Sequence, residues 1–386
     1  MSRVLFVSHS AELNGSELWL LETLRCIDRN RFDPLLVVPG PGRLEEAARS
    51  AGVETKRAPM VWWIADKSRR FRQPAAWALT QRSAGRIVRL IRERKPDLAF
   101  SNSAAVAAGA LAARRSGLPH VWAVHEMLAG PRTHLFHLRG GRAVTSFILR
   151  SSRRVIVNSR FCAGAFPPSD KIVVVPNGAR LKIRDDAAAA AIRARLGAAS
   201  GTPVLGVVGK LYEGKGQIEA VRAAGLLKDE FPGLRLAVIG EPRDAGYAAA
   251  VRAEAARAGL NGQVVFEGWR SDLDDWLAAM DVLLVPSTVE TFGRAALDGM
   301  SCGTPVVAAA AGGSAEVVED GVSGILVPER TPTLLAEAAA RILRDPALAS
   351  RLADGGRRAV GTRFSLEAQV RTVEDVLARC LSGAQP

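Results

Sequence analysis

VLLVPSTVETFGRAALDGMSCGTPVVAAAAGGSAEVVEDGVSGILVP, residues 282–328, is the stretch that decides the fold. It opens on an apolar run, Val282 to Val285, stopped by Pro286-Ser287. A run this short, bounded by turn residues, reads as a fully buried strand. A polar loop carries Glu290-Thr291-Phe292-Gly293, and a helix is expected from Arg294 to about Ser301. Gly303-Thr304-Pro305 ends it and a second buried run begins. Strands without polar alternation, joined through a helix, predict a parallel sheet covered on both faces.

The same grammar extends in both directions. Upstream in the second half, strands are expected at Pro203–Val208, Leu234–Ile239 and Val264–Glu267, and downstream at Pro305–Ala308 and Ile325–Val327, with helices such as Gln217–Lys228 and Asp272–Met280 between them. The first half runs Val4–Val7, Leu35–Val38, Leu98–Ser101, Val121–Val124, Val155–Val157 and Ile172–Val175, with a helix near Glu17–Arg25. Ala179–Ser200 reads as a hinge and entry helix, and Ser365–Leu381 as an amphipathic helix. The expectation is an α/β chain of two doubly wound Rossmann-like domains facing a central cleft. Residues 1–180 form the first, 181–364 the second, and 365–386 a helix crossing back to the first. Ligands in such sheets sit at the carboxyl ends of the strands.

The loop chemistry is specific. Gly293 lets backbone approach a ligand closely. The amides around Phe292–Arg294 stand at a helix N-terminus, where they bind an anion or a hydroxyl. Glu290 is expected at a strand end, and Asp298 about two helical turns deeper. Two carboxylates so placed accept hydrogen bonds from two separate polyols. Gly209-Lys210-Leu211-Tyr212-Glu213-Gly214-Lys215-Gly216 follows the strand ending at Val208, and a lysine pair on a Gly-flanked loop suits a diphosphate. Asp272-Leu273-Asp274 could pass for a metal-binding pair of acids. It reads better as an N-cap with acidic first-turn neighbours.

The 282–328 stretch resembles family 4 of the retaining glycosyltransferases, which have the GT-B fold. The glutamate, the aromatic-Gly pair, the second acid after seven intervening positions, and Met300 to Val307, Gly312-Gly313 and Glu316 to Gly321 all follow the family pattern. The resemblance implies that Glu290 contacts the donor sugar, that Thr291, Phe292, Gly293 and Arg294 line the donor site, and that Asp298 reaches the ribose. The family's second acid is usually Glu, and Asp298 is one methylene shorter. Lys210 and Lys215 are implied as the diphosphate cations and, with Glu290, as catalytic residues. The segment around Trp269 is implied to line the nucleobase. Asn14-Gly15-Ser16-Glu17 stands where the family has a Gly-Gly-x-Glu loop, with Gly15 as the close-approach residue. His125, ending Val121–Val124, is implied to face the reacting sugar. His120, His134 and His137 are expected on the surface or in an acceptor loop. Asn177-Gly178 matches the family's hinge turn, although Arg180 replaces the usual Asp.

Composition bounds the rest. The chain has 386 residues and a net charge of +13. Residues 1–180 hold 29 Lys/Arg against 13 Asp/Glu, and residues 181–386 hold 23 against 26. The basic half should meet an anionic partner, and the candidates are lipid headgroups, a lipid diphosphate or nucleic acid. Trp62-Trp63-Ile64, followed by Lys67, Arg69, Arg70, Phe71 and Arg72, could dock on an anionic membrane surface. No compact nucleic-acid module is evident, so nucleic acid is not expected as a partner. Four scattered cysteines give no disulfide framework or zinc site and read as buried thiols. No cofactor or metal is expected beyond the nucleotide sugar itself. MSRVLFVSHS is too short for a signal peptide, and the expected location is cytoplasmic, peripheral on the inner membrane face.

The activity expected is retaining, metal-independent transfer from a UDP- or GDP-sugar to a lipid-linked or polysaccharide acceptor, in cell-envelope or exopolysaccharide synthesis. Two alternatives stand beside it: a sugar-nucleotide epimerase of the same fold, and a non-catalytic basic protein binding nucleotide or nucleic acid. A dinucleotide-dependent dehydrogenase fits poorly, because no GxGxxG follows Val7.

Overall fold

The computed structural model describes residues 1–66, 73–128, 135–137 and 140–383, with backbone only at 65, 66, 73, 74, 135 and 136. The chain divides into two compact units, Met1–Gly178 with Leu366–Pro386, and Ala179–Ser365.

The first unit contains, in order, β1 (Ser2–Ser8), α1 (Gly15–Cys26), β2 (Phe32–Val38), α2 (Arg43–Ser50), β3 (Glu54–Arg57), β4 (Ala65–Asp66) and α3 (Gln73–Arg94). There follow β5 (Leu98–Asn102), α4 (Ala108–Arg115), β6 (His120–Val124), β7 (Leu135–Phe136), α5 (Gly140–Arg150), β8 (Arg154–Val157), α6 (Arg160–Ala163) and β9 (Ile172–Val174). Seven strands form one parallel sheet in the order β3-β2-β1-β5-β6-β8-β9. Alternate residues of β1 serve opposite faces: Leu5 and Val7 join one apolar cluster, Val4 and Phe6 the other. Both sides of the strand are therefore dry, which is why it reads as an unbroken apolar run.

The second unit contains α7 (Asp186–Arg195), β10 (Val204–Val208), α8 (Gln217–Leu227), β11 (Arg235–Ile239), α9 (Ala245–Arg257), β12 (Val264–Glu267) and α10 (Leu273–Ala278). It continues with β13 (Val282–Val285), α11 (Arg294–Cys302), β14 (Val306–Ala309), α12 (Ser314–Val317), β15 (Ile325–Val327), α13 (Pro332–Arg344) and α14 (Pro346–Thr362). Its six parallel strands run β12-β11-β10-β13-β14-β15. Gly206 in β10 is a packing glycine, since a Cβ there would stand 2.1 Å from the Met280 sulfur.

The last helix, α15 (Leu366–Leu381), belongs to the first unit. Its buried Val373, Val376 and Leu377 join the cluster of Val4, Phe6, Trp19 and Leu24. Gln369 Nε2 donates to Thr23 Oγ1 at 2.9 Å, and its Oε1 accepts from the Gly178 amide at 2.6 Å.

In each sheet the winding direction reverses once, between β1 and β5 and between β10 and β13. At such a reversal the loops leaving two adjacent strands part to opposite faces and leave a crevice, the usual ligand position of a doubly wound sheet. The loops after β10 and β13 carry Lys210, Lys215 and Glu290. Those after β1, β5 and β6 carry His9, Ser103 and His125.

Candidate functional site

In the second unit the crevice is stitched together by backbone. The loop after β10 leaves through Gly209 at φ 143° and returns through a short 3-10 turn, Glu213–Lys215, to Gly216 at φ 73°. Both φ values favour glycine. A Cβ on Gly216 would also lie 2.1 Å from the Pro286 carbonyl oxygen, so this loop abuts the end of β13. The Thr288 amide donates to Gly214 O at 2.9 Å and ties the two loops together. Buried Gln217 donates to the Lys210 carbonyl at 3.1 Å.

Glu290 stands five residues beyond β13 rather than at its end. Its backbone is fixed by an isolated parallel bridge to Gly312, with the Gly313 amide donating to Glu290 O at 2.8 Å. Gly313 allows that approach, because a Cβ there would meet Thr291 O at 2.4 Å. Glu290 is buried, with 8% of the residue exposed. Its Oε1 accepts from Lys215 Nζ at 2.5 Å and from Ser287 Oγ at 2.6 Å. Burial works most strongly on Lys215 and disfavours its charge. The Glu290 carboxylate and Tyr212 outweigh burial, so the Lys215 pKa lies above the ordinary lysine value. Lys210 is exposed, and its ammonium has no ion-pair partner among the described residues.

Gly293, at φ 110°, starts α11, whose first intrahelical bond runs from the Leu297 amide to Gly293 O. The amides of the first turn have no intrahelical acceptor. The Phe292 ring turns into the core, 2% exposed and edge-on to Phe364, so only its backbone can serve a ligand. Arg294 Nε meets Asp298 Oδ1 at 2.7 Å one turn along α11, so Asp298 is an engaged carboxylate. Trp269 follows β12 and is 40% exposed. Asp272 occupies the N-cap position of α10, but its carboxylate makes no capping bond. It takes Arg270 in a two-bond fork at 2.8 and 2.6 Å, which draws its pKa down. Among the described residues no group of three His, Cys, Asp or Glu could hold a metal ion.

The first unit carries its own polar cluster. His125, directly after β6, is partly exposed, and its Nε2 lies 2.9 Å from Asn102 Oδ1 at the end of β5. The Trp19 ring meets it edge-on at 5.0 Å. Burial lowers its pKa to about 4, with Glu126 opposing and His9 reinforcing. Glu126 accepts from the amides of His125 (3.1 Å) and Ala104 (3.0 Å) and from Ser103 Oγ. Ser103 is a non-glycine residue at φ 84°, and this carboxylate anchors it there. His9 Nδ1 lies 3.0 Å from Glu17 Oε1, and Glu17 Oε2 accepts from the Asn14 amide. Gly15 begins α1, and a Cβ on it would point into open space.

Several expectations are corrected. His120 is no surface residue: it is 3% exposed, 2.9 Å from Ser101 Oγ and 3.1 Å from Ser151 O, and burial lowers its pKa to about 3. Trp63 and Ile64 are buried, with Trp63 Nε1 donating to Ala104 O, which leaves only Trp62 half-exposed. Cys26 is partly exposed, unlike the other three cysteines. His137 packs against Trp63. His134 and Lys67 through Arg72 lie outside the described residues. Ser287, Asn102, Ser103 and Gln217 were missed in the sequence, where a buried serine, asparagine or glutamine at a strand end carries no periodic signal.

Residues 189–359 match the family described as Glycosyl transferases group 1, and residues 13–182 the one described as Glycosyltransferase Family 4. A D-inositol 3-phosphate glycosyltransferase of Thermobispora bispora is 32% identical over 291 residues, 71% of this chain and 68% of that protein. One from Streptomyces bingchenggensis is 35% identical over 229 residues, and the match spans 57% of this chain and half of that relative. The structure of Anabaena Alr3699/HepE in complex with UDP-glucose superposes with a TM-score of 0.82 at 24% identity, over 98% of this chain and 100% of that one. WaaG, a glycosyltransferase involved in lipopolysaccharide biosynthesis, gives 0.71 at 16% identity, over 97% of this chain and 99% of that one. At these identities the likeness shows a shared GT-B fold.

Proposed function

From the family to which this chain belongs, the group 1 glycosyltransferases with their nucleotide-sugar donors, we propose that it is a retaining, metal-independent hexosyltransferase acting on a lipid-linked or polysaccharide acceptor in envelope synthesis. The observation that carries this reading is the Glu290 carboxylate, fixed by Lys215 and Ser287 beside the N-terminus of α11 at the strand reversal. One carboxylate oxygen is taken by these two donors, and the other is left for sugar hydroxyls. Lys210, Lys215 and the first-turn amides meet the diphosphate. Asp298, Trp269 and Gly15 complete the donor contacts, and His125 faces the sugar.

In the proposed reaction the bond from the anomeric carbon to the phosphate oxygen breaks as the acceptor oxygen bonds to that carbon on the same face. The leaving phosphate oxygen takes the acceptor hydroxyl proton. Lys210 and Lys215 stabilise the charge that develops on that phosphate, a task that cationic side chains perform without a metal. The solved HepE complexes with UDP and UDP-glucose make UDP-glucose the first donor to test.

A peripheral position on an anionic membrane is supported by α3 rather than by the Trp62–Ile64 segment. Arg82, Arg86 and Arg89 are exposed along one face of α3, and Trp77 and Leu79 are 44% and 40% exposed nearer its start. No described helix is long and apolar enough to cross a membrane. The test is a thermal-shift screen of UDP- and GDP-sugars, followed by NMR of the product anomer with EDTA present. Stabilisation by one donor and a product of retained configuration are expected. Inversion, or turnover abolished by EDTA and restored by a divalent cation, contradicts the proposal.

A further inference from the structure

We infer that Asn102 locks His125 in the tautomer protonated on Nε2, so that Nδ1 is a fixed acceptor for a hydroxyl of the donor sugar. The second half of this inference rests on the proposed placement of His125 beside that sugar. The lock follows from the hydrogen-bond partners. Asn102 Nδ2 donates to the Ser16 carbonyl at 3.0 Å, a group that can only accept. The amide oxygen of Asn102 therefore faces His125 Nε2 at 2.9 Å, and that nitrogen must carry the proton. Flipping the amide would set two oxygens against each other at Ser16. A neutral ring with Nε2–H has a bare lone pair on Nδ1, which has no hydrogen-bond partner among the described residues.

The surroundings hold the ring both oriented and uncharged. The Trp19 edge from α1 and the Glu126 bond to the His125 amide fix its plane and its backbone. The charged and titratable groups around it are Glu126 after β6, His9 after β1, and Glu17 of α1, which reaches it through His9. Burial dominates them, so the ring stays neutral at physiological pH. A lone pair at Nδ1 accepts from a hydroxyl and repels a phosphate or carbonyl oxygen. His125 thus selects a sugar hydroxyl rather than steadying the diphosphate, and Asn102 is its positioning residue.

The test uses the full chain, ¹⁵N-labelled at histidine and without ligand, in two-bond ¹H–¹⁵N correlation spectra from pH 6 to 8. The His125 signals are assigned by their loss in His125→Gln. A protonated Nε2 and a bare Nδ1, unchanged across this range, are expected. A proton on Nδ1, or a ring that titrates there, overturns the lock. In Asn102→Ala the two tautomers should mix. UDP release from UDP-glucose should then fall roughly ten- to hundredfold in kcat, by analogy with metal-bound histidines that lose their orienting partner, with KM changing less. A wild-type-like tautomer in Asn102→Ala also overturns the lock, and if that variant does not fold, the wild-type spectrum still decides. For the sugar contact, His125→Asn places an acceptor near Nδ1 and His125→Gln places one near Nε2. His125→Asn should keep the greater turnover, and the reverse order contradicts acceptance at Nδ1. Unchanged turnover in both variants overturns the placement of His125 at the sugar, and the spectrum judges Asn102 separately.

Discussion

Replacing Lys215 with Met and Glu290 with Gln, singly and together, tests whether the central ion pair is an energetic unit. At 2.5 Å and an effective dielectric near 20, the gross attraction is about 7 kcal/mol. Much of it is offset by desolvation, because the side chains are only 22% and 10% exposed. Lys215→Met leaves a buried carboxylate with Ser287 as its remaining side-chain donor, which should cost about 3 kcal/mol. Glu290→Gln leaves a buried ammonium against an amide oxygen and should cost about 2 kcal/mol. The double variant should be less destabilised than the sum, by a coupling of about 2 kcal/mol. Hydrogen exchange of peptides covering β13 and α11 in rising urea reads the second unit directly. Additivity within about 0.5 kcal/mol would mean that the two groups do not hold each other, and would refute the reasoning.

Two further outcomes follow from the packing. The folded pKa of His120 lies below its unfolded value, so the stability it contributes is present above about pH 6.5 and is lost as pH falls toward about 3. Going from pH 7 to pH 5 should cost about 2 kcal/mol through His120, and His125 acts in the same direction. Urea midpoints should shift accordingly, and an equal pH dependence in His120→Gln would contradict the assignment. Gly216→Ala combines a left-handed φ with a contact to Pro286 O and should destabilise the second unit by about 3 kcal/mol. It should also weaken UDP binding at least tenfold, and isothermal titration showing unchanged affinity would separate this turn from the site.

The fold was legible because parallel strands covered on both faces are unbroken apolar runs: Val282–Val285 and Ile325–Val327 were bounded to the residue, and so was the half-buried edge strand Val264–Glu267, whose first three residues are apolar. β3 escaped notice because Glu54-Thr55-Lys56-Arg57 has no apolar run, its place being set by pairing with β2 and by polar ties to α2, Arg49 to Thr55 and Arg57 to Glu45. Glu290, Lys210 and Lys215 could be picked out because charged residues in Gly-flanked loops after strands stand out against the core. Their partners could not. Ser287 matters only because the chain returns it to Glu290, and Asn102 only because two strands and α1 converge on it. His120 misled for a related reason. A histidine opening a strand looks exposed until serines from β5 and from the turn before β8 close over it.

The most direct test is titration of the wild type, Glu290→Gln and Lys215→Met with UDP-glucose and with UDP, using the donor base that stabilises the wild type if it is another. Glu290→Gln should bind the nucleoside diphosphate about as the wild type does and lose at least tenfold for the nucleotide sugar, together with transfer. Lys215→Met should weaken both ligands. Transfer at the wild-type rate by Glu290→Gln, or equal affinity of the wild type and Lys215→Met for both ligands, would contradict the account.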